Sequence, residues 1–356
     1  MTGRRKDGAP LQVGLVGYGL GGSAFHAPLI AATPGLHLAA VVTRDAGRRA
    51  EVERRYPDAR VLPDVDALWA AADQFDLVVV SAPNVTHVPY ARAALQAGLH
   101  VVVDKPFAPS ATEARAVGAF AERVSRLAIP FQNRRWDGDF LTVQSLLRDD
   151  AVGTVHRFES RFERLRATAK PGWTADGAAE RAEGIVYDIG SHLIDQALTL
   201  FGSASEVYAE LSRRHPDVKV EDEAFISIRH AGGVRSHLHV SAVAAQPGPR
   251  MSLWGSRAAY VKHGLDGQET ALRAGGIPGS SGWGAEPREL WGSLGTPDDR
   301  RPVPTEPGAY QAFYAGVERA IRTGAAPPVS ISDAIAYLDV IEAAYRSARE
   351  RRVVTV

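Results

Sequence analysis

"LQVGLVGYGLGG", residues 11–22, is the stretch that decides the fold of this chain. An apolar run ends in a glycine-rich loop, in which Gly17, Gly19 and Gly22 have GxGxxG spacing, and a helical pattern follows at 22–32. Glycines at this spacing permit a tight turn, the close approach of a pyrophosphate, and close packing of the helix on the strand. The helix N-terminus then offers free backbone N–H groups to the anion. The stretch therefore predicts a dinucleotide-binding loop that comprises Gly17, Tyr18, Gly19, Leu20 and Gly22.

Outward from this stretch, apolar runs alternate with helical patterns through the first third of the chain. Runs that are apolar on both faces are typical of parallel strands covered by helices. The runs lie at 11–17, 36–43, 59–62, 75–82, 99–104 and 126–131, and the helical patterns at 22–32, 45–56, 64–72, 86–97 and 110–124. The alternation predicts an α/β fold with a doubly wound parallel sheet of the Rossmann type, in a domain of residues 1–132.

The pattern changes after residue 132, which predicts a second, α+β domain over residues 133–356. Period-two alternation, typical of a large, mostly antiparallel open sheet, occurs at 154–164, 205–213, 222–230, 233–243, 250–256 and 258–263. Helical patterns occur at about 137–149, 184–201, 309–323 and 331–348, and the last two could pack back on the first domain. Residues 264–308, rich in Gly, Pro, Ser and Trp, are interpreted as a long functional loop region.

Composition excludes several classes of function. The 41 basic and 41 acidic residues cancel, which gives no electrostatic case for nucleic acid or an anionic membrane. The chain has no cysteine, so disulfides and thiolate sites are excluded. His237 and His239 share a strand face, but without a third ligand they predict no metal site. Since no signal-type apolar run and no stretch of membrane-spanning length occurs, we expect a cytoplasmic protein.

The end of the second predicted strand, VVTRD, bears on which dinucleotide binds. NAD-specific sites usually have an acid there, about 20 residues after the glycines, to hold the ribose 2′-OH. This chain has Thr43 and Arg44 at that place, and arginine can pair with the 2′-phosphate of NADP. We therefore expect NADP. Alternatively, Arg44 is a solvated surface charge, and a shift of one residue would put Asp45 at the strand end and favour NAD.

Lys105 is the first candidate for catalysis. Only five of the 41 basic residues are lysines, and this one ends the fifth predicted strand in VVVDKPF. Ligands of doubly wound sheets bind outside the carboxyl ends of the strands, so we expect Lys105 at the crevice. Lysine, unlike arginine, can lose its proton when it is buried. Pro106 follows and could form a cis peptide bond. The alternative is a lysine that only reaches water.

Asp188 and His192 are the second candidate. They lie in IVYDIGSHLIDQAL, residues 185–198, whose apolar stripe predicts a helix. At i and i+4 the two side chains share a face, and a carboxylate bonded to an imidazole would fix its tautomer and raise its basicity. Hydride transfer to a nicotinamide needs such a base for the alcohol proton. From spacing alone, a surface pair worth roughly a few tenths of a kcal/mol explains the pattern equally well.

Several stretches together resemble the Gfo/Idh/MocA oxidoreductases. They are GYGLGGSAFHAPL, VVVDKPFAPS, QNRRWDGDFLT and YDIGSHLIDQALTLFG. The FHAPL and NRRWDGDF stretches, with GLDGQETALRAG at 264–275, are similar to the NADP-dependent scyllo-inositol dehydrogenase branch of that family. The resemblance spans nearly the whole chain. It implies a dehydrogenase that interconverts a secondary alcohol and a ketone on a cyclic polyol or sugar, and a homodimer or homotetramer formed through the open sheet.

The resemblance also implies roles for individual residues. The family's acid–Lys–Pro motif matches Asp104, Lys105 and Pro106, with aspartate where glutamate is usual, and its DxxxH pair matches Asp188 and His192. His192 is then expected to take or relay the hydroxyl proton, with Asp188 orienting it. Lys105 is expected to hold the substrate oxygen.

Further positions are expected to line the site. The cofactor set near the nicotinamide ribose is Pro83, Asn84, His87 and Lys105. The polyol set is Asn133, Arg135 and Trp136, with Trp173 and Tyr187 as an apolar platform under a sugar ring. Alternatively, the NRRW residues form an interdomain salt-bridge cluster, and the two aromatic side chains belong to the core.

Two other functions stay open from the sequence. One is a non-catalytic sensor that binds a dinucleotide or a sugar with the same fold. Such a protein could lose the Lys–Asp–His set, which is intact here. The other is a redox-assisted glycosidase, in which bound NAD is oxidised and reduced within each cycle. Arg44 argues against it, because a consumed NADP fits a dehydrogenase better.

Overall fold

The computed structural model describes residues 8–166 and 182–356. Six parallel strands form a first sheet in the order β3-β2-β1-β4-β5-β6. They are β1 Leu11–Val16, β2 Leu36–Val42, β3 Arg60–Leu62, β4 Leu77–Val80, β5 His100–Val103 and β6 Ala128–Pro130. This order is that of a doubly wound dinucleotide-binding sheet, which confirms the predicted Rossmann fold.

Helices cover both faces of the first sheet. Those that follow its strands are α1 Ala27–Ala31, α2 Ala46–Arg55, α3 Val65–Ala70, α4 His87–Gln96 and α5 Ala111–Arg123. A C-terminal helix, α9 Gln311–Thr323, also packs back on this sheet, where Phe313 and Val317 join Leu15 and Val79 in one buried cluster. The burial of both sheet faces explains the continuous apolar runs of the sequence.

Nine strands form the second sheet, in the order β14-β13-β12-β11-β7-β10-β9-β8-β15. They are β7 Val155–Glu163, β8 Ala204–Ser212, β9 Glu223–His230, β10 Arg235–Ser241, β11 Met251–Gly255, β12 Ala259–Lys262, β13 Gly292–Gly295, β14 Arg300–Val303 and β15 Val354–Thr355. Only β7 and β10 pair in parallel, so the predicted mostly antiparallel sheet is confirmed. The other helices of this part are α6 Gly138–Arg148, α7 Ser191–Phe201, α8 Gln268–Arg273 and α10 Ile331–Glu350.

Residues 264–308 contain more regular structure than the predicted loop region. The helix α8 and the β13–β14 hairpin lie within them. Gln268 anchors the start of α8, since its amide donates to Trp136 O at 3.0 Å and its Oε1 accepts from Trp283 Nε1 at 3.0 Å. Elements of four to six residues are too short to show a period in the sequence, which is why the pattern missed them.

Two helices begin with π-helical turns that the sequence pattern did not predict. The turn Gly21–His26 precedes α1, and the turn Val186–Gly190 precedes α7. A π turn holds more residues than an α turn, so side chains four apart no longer stack directly. Within 8–166 and 182–356, no helix is long and apolar enough to cross a membrane. The division into two domains at residue 132 stays a prediction.

Candidate active site

The carboxyl ends of four strands meet at one edge of the first sheet. The register pairs Val16 with Val42 and Val80, and Val80 with Val103. The residues that follow these strands therefore lie side by side, and a cleft of about 1060 Å³ opens there. Its opposite wall is formed by the π turn 186–190, α7 and the end of β7. The lining includes Gly17, Tyr18, Gly19, Leu20, Thr43, Arg44, Pro83, Asn84, His87, Lys105, Asn133, Asp188 and His192.

The glycine loop has the geometry that a pyrophosphate needs. Gly17 has a φ of +96°, and a Cβ there would lie 2.2 Å from Ser81 O. A Cβ on Gly22 would lie 2.2 Å from Gly17 O, so the helix can approach the turn only without a side chain. Open space surrounds the place of a Cβ on Gly19, which lines the cleft. Gly17 thus permits the turn, Gly22 permits close packing of the helix on the turn, and Gly19 leaves space for a bound group.

The end of the cleft beyond β2 carries two arginines. Arg44 and Arg48 are exposed and line it, while Thr43 is buried. Asp45 caps α2, because its Oδ1 accepts from Arg48 N at 2.9 Å. One oxygen of the carboxylate that could have favoured NAD is therefore engaged in the helix cap. Guanidinium groups and a helix N-terminus both favour anions, so this end of the cleft could hold a phosphate group.

Lys105 and Asp188 pair across the cleft. Lys105 Nζ donates to a carboxylate oxygen of Asp188, and also to the backbone oxygen of Asp188 at 2.8 Å. The two side chains remain 22% and 21% exposed, so both face the cleft. The peptide bond between Lys105 and Pro106 is cis. The structure thus joins the end of β5 to the π turn through a charged pair at the place where a substrate oxygen would bind.

His192 has a different partner from the predicted one. Its Nδ1 lies 2.6 Å from Gln132 Oε1. Burial, followed by the cations Lys105 and Arg134, holds the pKa of His192 well below 6.5. The ring is therefore neutral, Nδ1 donates to Gln132, and Nε2 carries the lone pair. The predicted Asp188–His192 contact is wrong, because Asp188 lies in the π turn and its carboxylate pairs with Lys105.

A buried carboxylate holds the start of the π turn. Glu221 Oε1 accepts from Val186 N at 3.1 Å and from Tyr345 Oη at 2.7 Å. A Cβ on Gly184 would lie 2.3 Å from the same oxygen, so the chain can pass there only as glycine. Burial raises the pKa of Glu221, and these hydrogen bonds oppose the rise. Glu221 thus fixes the segment that presents Asp188 to Lys105.

Asp104 lies next to the glycine loop. It accepts from Ser81 Oγ at 3.1 Å and from Lys105 N at 2.8 Å, and its Oδ2 lies 3.4 Å from His26 Nε2. Burial acts to raise the pKa of Asp104, but His26 and then Lys105 outweigh it and lower the pKa to about 2. A Cβ on Gly21 would lie 2.6 Å from Oδ2. Asp104, the acid of the acid–Lys–Pro motif, is therefore ionised, and its carboxylate lies against the glycine loop.

His87 lines the cleft and also supports the turn at Lys105. It is buried, with Nδ1 2.8 Å from Pro106 O and Nε2 2.9 Å from Ala82 O. Burial lowers the pKa of His87, so the neutral ring donates to only one of these carbonyls. Asn84 lines the cleft, and its Nδ2 donates to Ala182 O at 2.7 Å.

Of the three predicted polyol residues in the NRRW stretch, only one lines the cleft. Asn133 lines the cleft, whereas Arg135 and Trp136 lie outside its lining. Arg135 donates to both oxygens of Asp195, at 2.7 and 2.6 Å, because a buried carboxylate on α7 requires a charged partner. Trp136 packs edge to face on Phe313, with ring centroids 5.7 Å apart. The salt-bridge alternative thus describes the contacts of Arg135, and polyol contact by either residue stays a prediction.

Tyr187, predicted as part of an apolar platform under a sugar ring, lies outside the lining of the cleft. Its ring stacks on Tyr345 at 5.8 Å, its hydroxyl donates to Pro109 O at 3.0 Å, and only 5% of the residue is exposed. Tyr187 belongs to the core, as the alternative held. Trp173 lies outside the described residues. In the part of the chain that the structure describes, no group of three or more His, Asp or Glu side chains could hold a metal ion.

Glu269, Arg273 and Arg48, which line the cleft, and Gln132, which contacts His192, were not singled out from the sequence. Arg134 and Arg273 both donate to Glu269, at 2.9 and 2.8 Å. Glu269 and Arg273 lie in the GLDGQETALRAG stretch and Gln132 directly precedes NRRW, so the quoted stretches contained these residues. Arg48 had no signal, because only the turn of α2 brings it beside Arg44.

Two family profiles match the chain. The oxidoreductase family with an NAD-binding Rossmann fold matches residues 11–131, and the GFO/IDH/MocA C-terminal domain matches residues 140–261. The chain therefore belongs to the Gfo/Idh/MocA family of oxidoreductases.

Individual relatives are similar over their whole length. The uncharacterized oxidoreductase YdgJ of Escherichia coli K12 is 38% identical, over 96% of this chain and 97% of its own. The scyllo-inositol 2-dehydrogenase (NADP(+)) IolW of Bacillus subtilis 168 is 33% identical, over 99% and 98%. The structure of yvaA from Bacillus subtilis superposes with a TM-score of 0.91 at 32% identity, covering 99% of this chain and 100% of that one. Both sheets are thus shared with these relatives.

Proposed function

We propose that this protein is an NADP-dependent dehydrogenase that interconverts a secondary alcohol and a ketone on a cyclic polyol or sugar. The observation that supports this most is the convergence of Lys105, Asp188 and His192 in one cleft with the glycine loop. The relative IolW is named as a scyllo-inositol 2-dehydrogenase that uses NADP(+), and we extend that kind of substrate to this chain. The reaction converts the alcohol and NADP⁺ to the ketone, NADPH and a proton.

The cofactor, when bound, accepts the hydride from the alcohol carbon. In this proposal the glycine loop holds the pyrophosphate, and Arg44 with Arg48 holds the 2′-phosphate. In the same proposal Thr43, which directly follows β2, lies beneath them, and Pro83, Asn84 and Lys105 border the nicotinamide end. The positive charge at the end beyond β2 is what supports NADP over NAD.

Lys105 and His192 divide the handling of the substrate oxygen. The ammonium of Lys105, held by Asp188, donates to that oxygen and stabilises the negative charge that develops on it. The neutral ring of His192 accepts the hydroxyl proton at Nε2, because Gln132 keeps the other nitrogen protonated. Asp188 therefore positions Lys105, in place of the orienting role for His192 that the spacing suggested.

The two alternative functions have less support. A sensor has no need for an ammonium, a carboxylate and a neutral imidazole in one cleft, and all three are present here. A glycosidase that retains NAD has no need for the two arginines beyond β2.

The absorbance of reduced nicotinamide tests the proposal. The purified protein is mixed with NADP or NAD and a panel of inositols and aldoses. We expect reduction of NADP with a cyclic polyol or sugar, and a loss of about 100-fold or more in kcat/KM for Lys105→Met, which removes the ammonium and keeps an apolar stem. Lys219→Met, at an exposed lysine outside the cleft, is the control and should leave the rate unchanged.

Two results would overturn the proposal. Equal rates for the wild type and Lys105→Met would remove Lys105 from the mechanism. Measurable binding of NADP without turnover of any substrate in the panel would favour the sensor.

We also propose that the chain acts in the cytoplasm as a homodimer or homotetramer, formed through the outer face of the second sheet. That face presents large side chains, with Arg157 over the Trp254 ring at 4.0 Å and Phe225 beside His239 at 4.9 Å. Light scattering on a sizing column measures the mass. We expect Trp254→Glu to give a monomer, and a monomeric wild type would refute the assembly.

A further inference from the structure

Two arginines at the end of β7 have no part in the proposed mechanism. Phe162, Arg164 and Arg166 alternate along the chain and point to the core side of the sheet, whereas Leu165 between them is 61% exposed on the other side. Both arginines line the cleft. The preceding inward residues Phe158, Ser160 and Phe162 are buried and carry no charge, so the inward face becomes cationic where it reaches the cleft.

The backbone that carries the two arginines is fixed. Arg164 N donates to Ser241 O at 3.0 Å, Arg166 N donates to Ala242 O at 2.8 Å, and Ala244 N donates to Arg164 O at 3.2 Å. The pairing of β7 with the β10 segment therefore continues past the end of the strand. The paired backbone holds both side chains toward the cleft.

The other cations of this part of the cleft have carboxylate partners. The pairs are Lys105 with Asp188, and Arg134 and Arg273 with Glu269. Between residues 8–166 and 182–356, neither Arg164 nor Arg166 forms an ion pair. Burial, and next the like charge of Arg166, lower the pKa of Arg164. Two like charges in a partly buried place are unfavourable unless an anion offsets them.

The location of the two arginines separates them from the end of the cleft that would hold the adenosine. The charges of Asp188 and Glu269 act on Arg164, whereas Arg44 and Arg48 lie at the end beyond β2. An anion bound by the two arginines would therefore lie on the side of the cleft that holds Asp188 and its partner Lys105.

We propose that the substrate carries an anionic group, a carboxylate or a phosphate, which Arg164 and Arg166 bind while its alcohol faces Lys105 and His192. The inference rests on the proposed dehydrogenase function and narrows its substrates to acidic sugars and polyols. The planar guanidinium fork matches the geometry of both anions. A neutral polyol such as scyllo-inositol lacks the group that these residues bind.

Matched sugars test this proposal. D-Glucose, D-glucuronate and D-glucose 6-phosphate differ in one terminal group, and D-galactose with D-galacturonate and myo-inositol with its monophosphate extend the panel. Rates with NADP are measured beside calorimetric binding of each compound to the NADP-loaded protein. We expect an acidic member to exceed its neutral partner about 10-fold or more in kcat/KM and in affinity. The identity of that member distinguishes a carboxylate from a phosphate.

Substitutions assign the effect to the arginines. Arg164→Met should lower kcat/KM for the acidic compound about 10- to 100-fold and leave the neutral partner unchanged, while Arg164→Lys should keep part of the preference. Arg161→Met is the matched control, because Arg161 lies on the opposite face of β7 and pairs with Glu159 at 3.0 Å. Circular dichroism confirms that each variant is folded.

Each outcome decides the proposal. If no compound is turned over, the dehydrogenase function fails, and the binding data alone decide: acidic sugars that bind the wild type but not Arg164→Met support the anion site. Neutral and acidic partners that bind equally, or no binding of any acidic compound, overturn it. A matching rise in the Kd for NADP in Arg164→Met also overturns it, since the bound anion would then be the diphosphate of the cofactor.

Discussion

Replacing Arg44 with methionine would test how this protein chooses its cofactor. Arg44 lies at the end of the cleft directly after the buried Thr43, and Arg48 lines the same end from the first turn of α2. Asp45 lines the same end, and its Oδ1 caps α2 by accepting from Arg48 N at 2.9 Å. Under the proposed preference for NADP, the guanidinium groups of Arg44 and Arg48 bind the 2′-phosphate.

The size of the effect follows from the charges. A hydrogen bond between ionised groups contributes about 1.5–3 kcal/mol, which is about a 10- to 150-fold change in an equilibrium constant. Since Arg44 is exposed, solvent and salt screen its interaction and place the expected loss for NADP near the lower end. Arg44→Met should leave kcat/KM for NAD unchanged, because NAD has no 2′-phosphate. The double variant Arg44→Met, Arg48→Met should use both cofactors about equally.

The assay is the initial rate of nicotinamide reduction, with each cofactor varied at a saturating concentration of the alcohol. Arg54→Met serves as the control, because Arg54 is exposed on the same helix but does not line the cleft. An unchanged ratio of NADP to NAD efficiency in both arginine variants would show that Arg44 is a solvated surface charge. A wild type that prefers NAD would refute the reasoning from Arg44 altogether.

Three further measurements test the geometry of the site. Asp188→Asn removes the charged partner of Lys105, so kcat should fall about 10- to 100-fold. Tm should barely change, because a partly exposed ion pair contributes only about 0–1 kcal/mol to the free energy of unfolding. A large drop in Tm would contradict this. The profile of kcat/KM against pH for alcohol oxidation should stay level to well below pH 6.5, since the lowered pKa of His192 keeps this base deprotonated there, and an acid limb at 6.5 or above would disagree. Gly22→Ala puts a Cβ 2.2 Å from a backbone oxygen of the glycine loop. Calorimetry should therefore show weaker NADP binding, and thermal unfolding should show a lower Tm. Gly232→Ala, where the Cβ would lie in open space, is the control and should change neither quantity.

The sequence predicts most where the position of a residue in an element fixes its direction. Lys105 follows a parallel strand, and all such strands end at one edge, so its place in the cleft follows from the strand pattern alone. Arg135 shows the limit of this reasoning. It is two residues from Asn133, and only the buried carboxylate of Asp195 on a distant helix decides that its side chain turns away from the cleft. Long-range partners of this kind leave no trace in local spacing.

The π turn at 186–190 explains why spacing misassigned the proton-handling pair. Asp188 lies within the turn and His192 in the α-helix after it, so the two side chains diverge toward Lys105 and Gln132. This separation has a chemical consequence. A carboxylate bonded directly to the imidazole would raise its pKa, whereas burial and the nearby cations lower it. The pKa of His192 is therefore lowered, in the direction opposite to the one that an i, i+4 carboxylate pair predicts, and the carboxylate of Asp188 holds the ammonium of Lys105 instead.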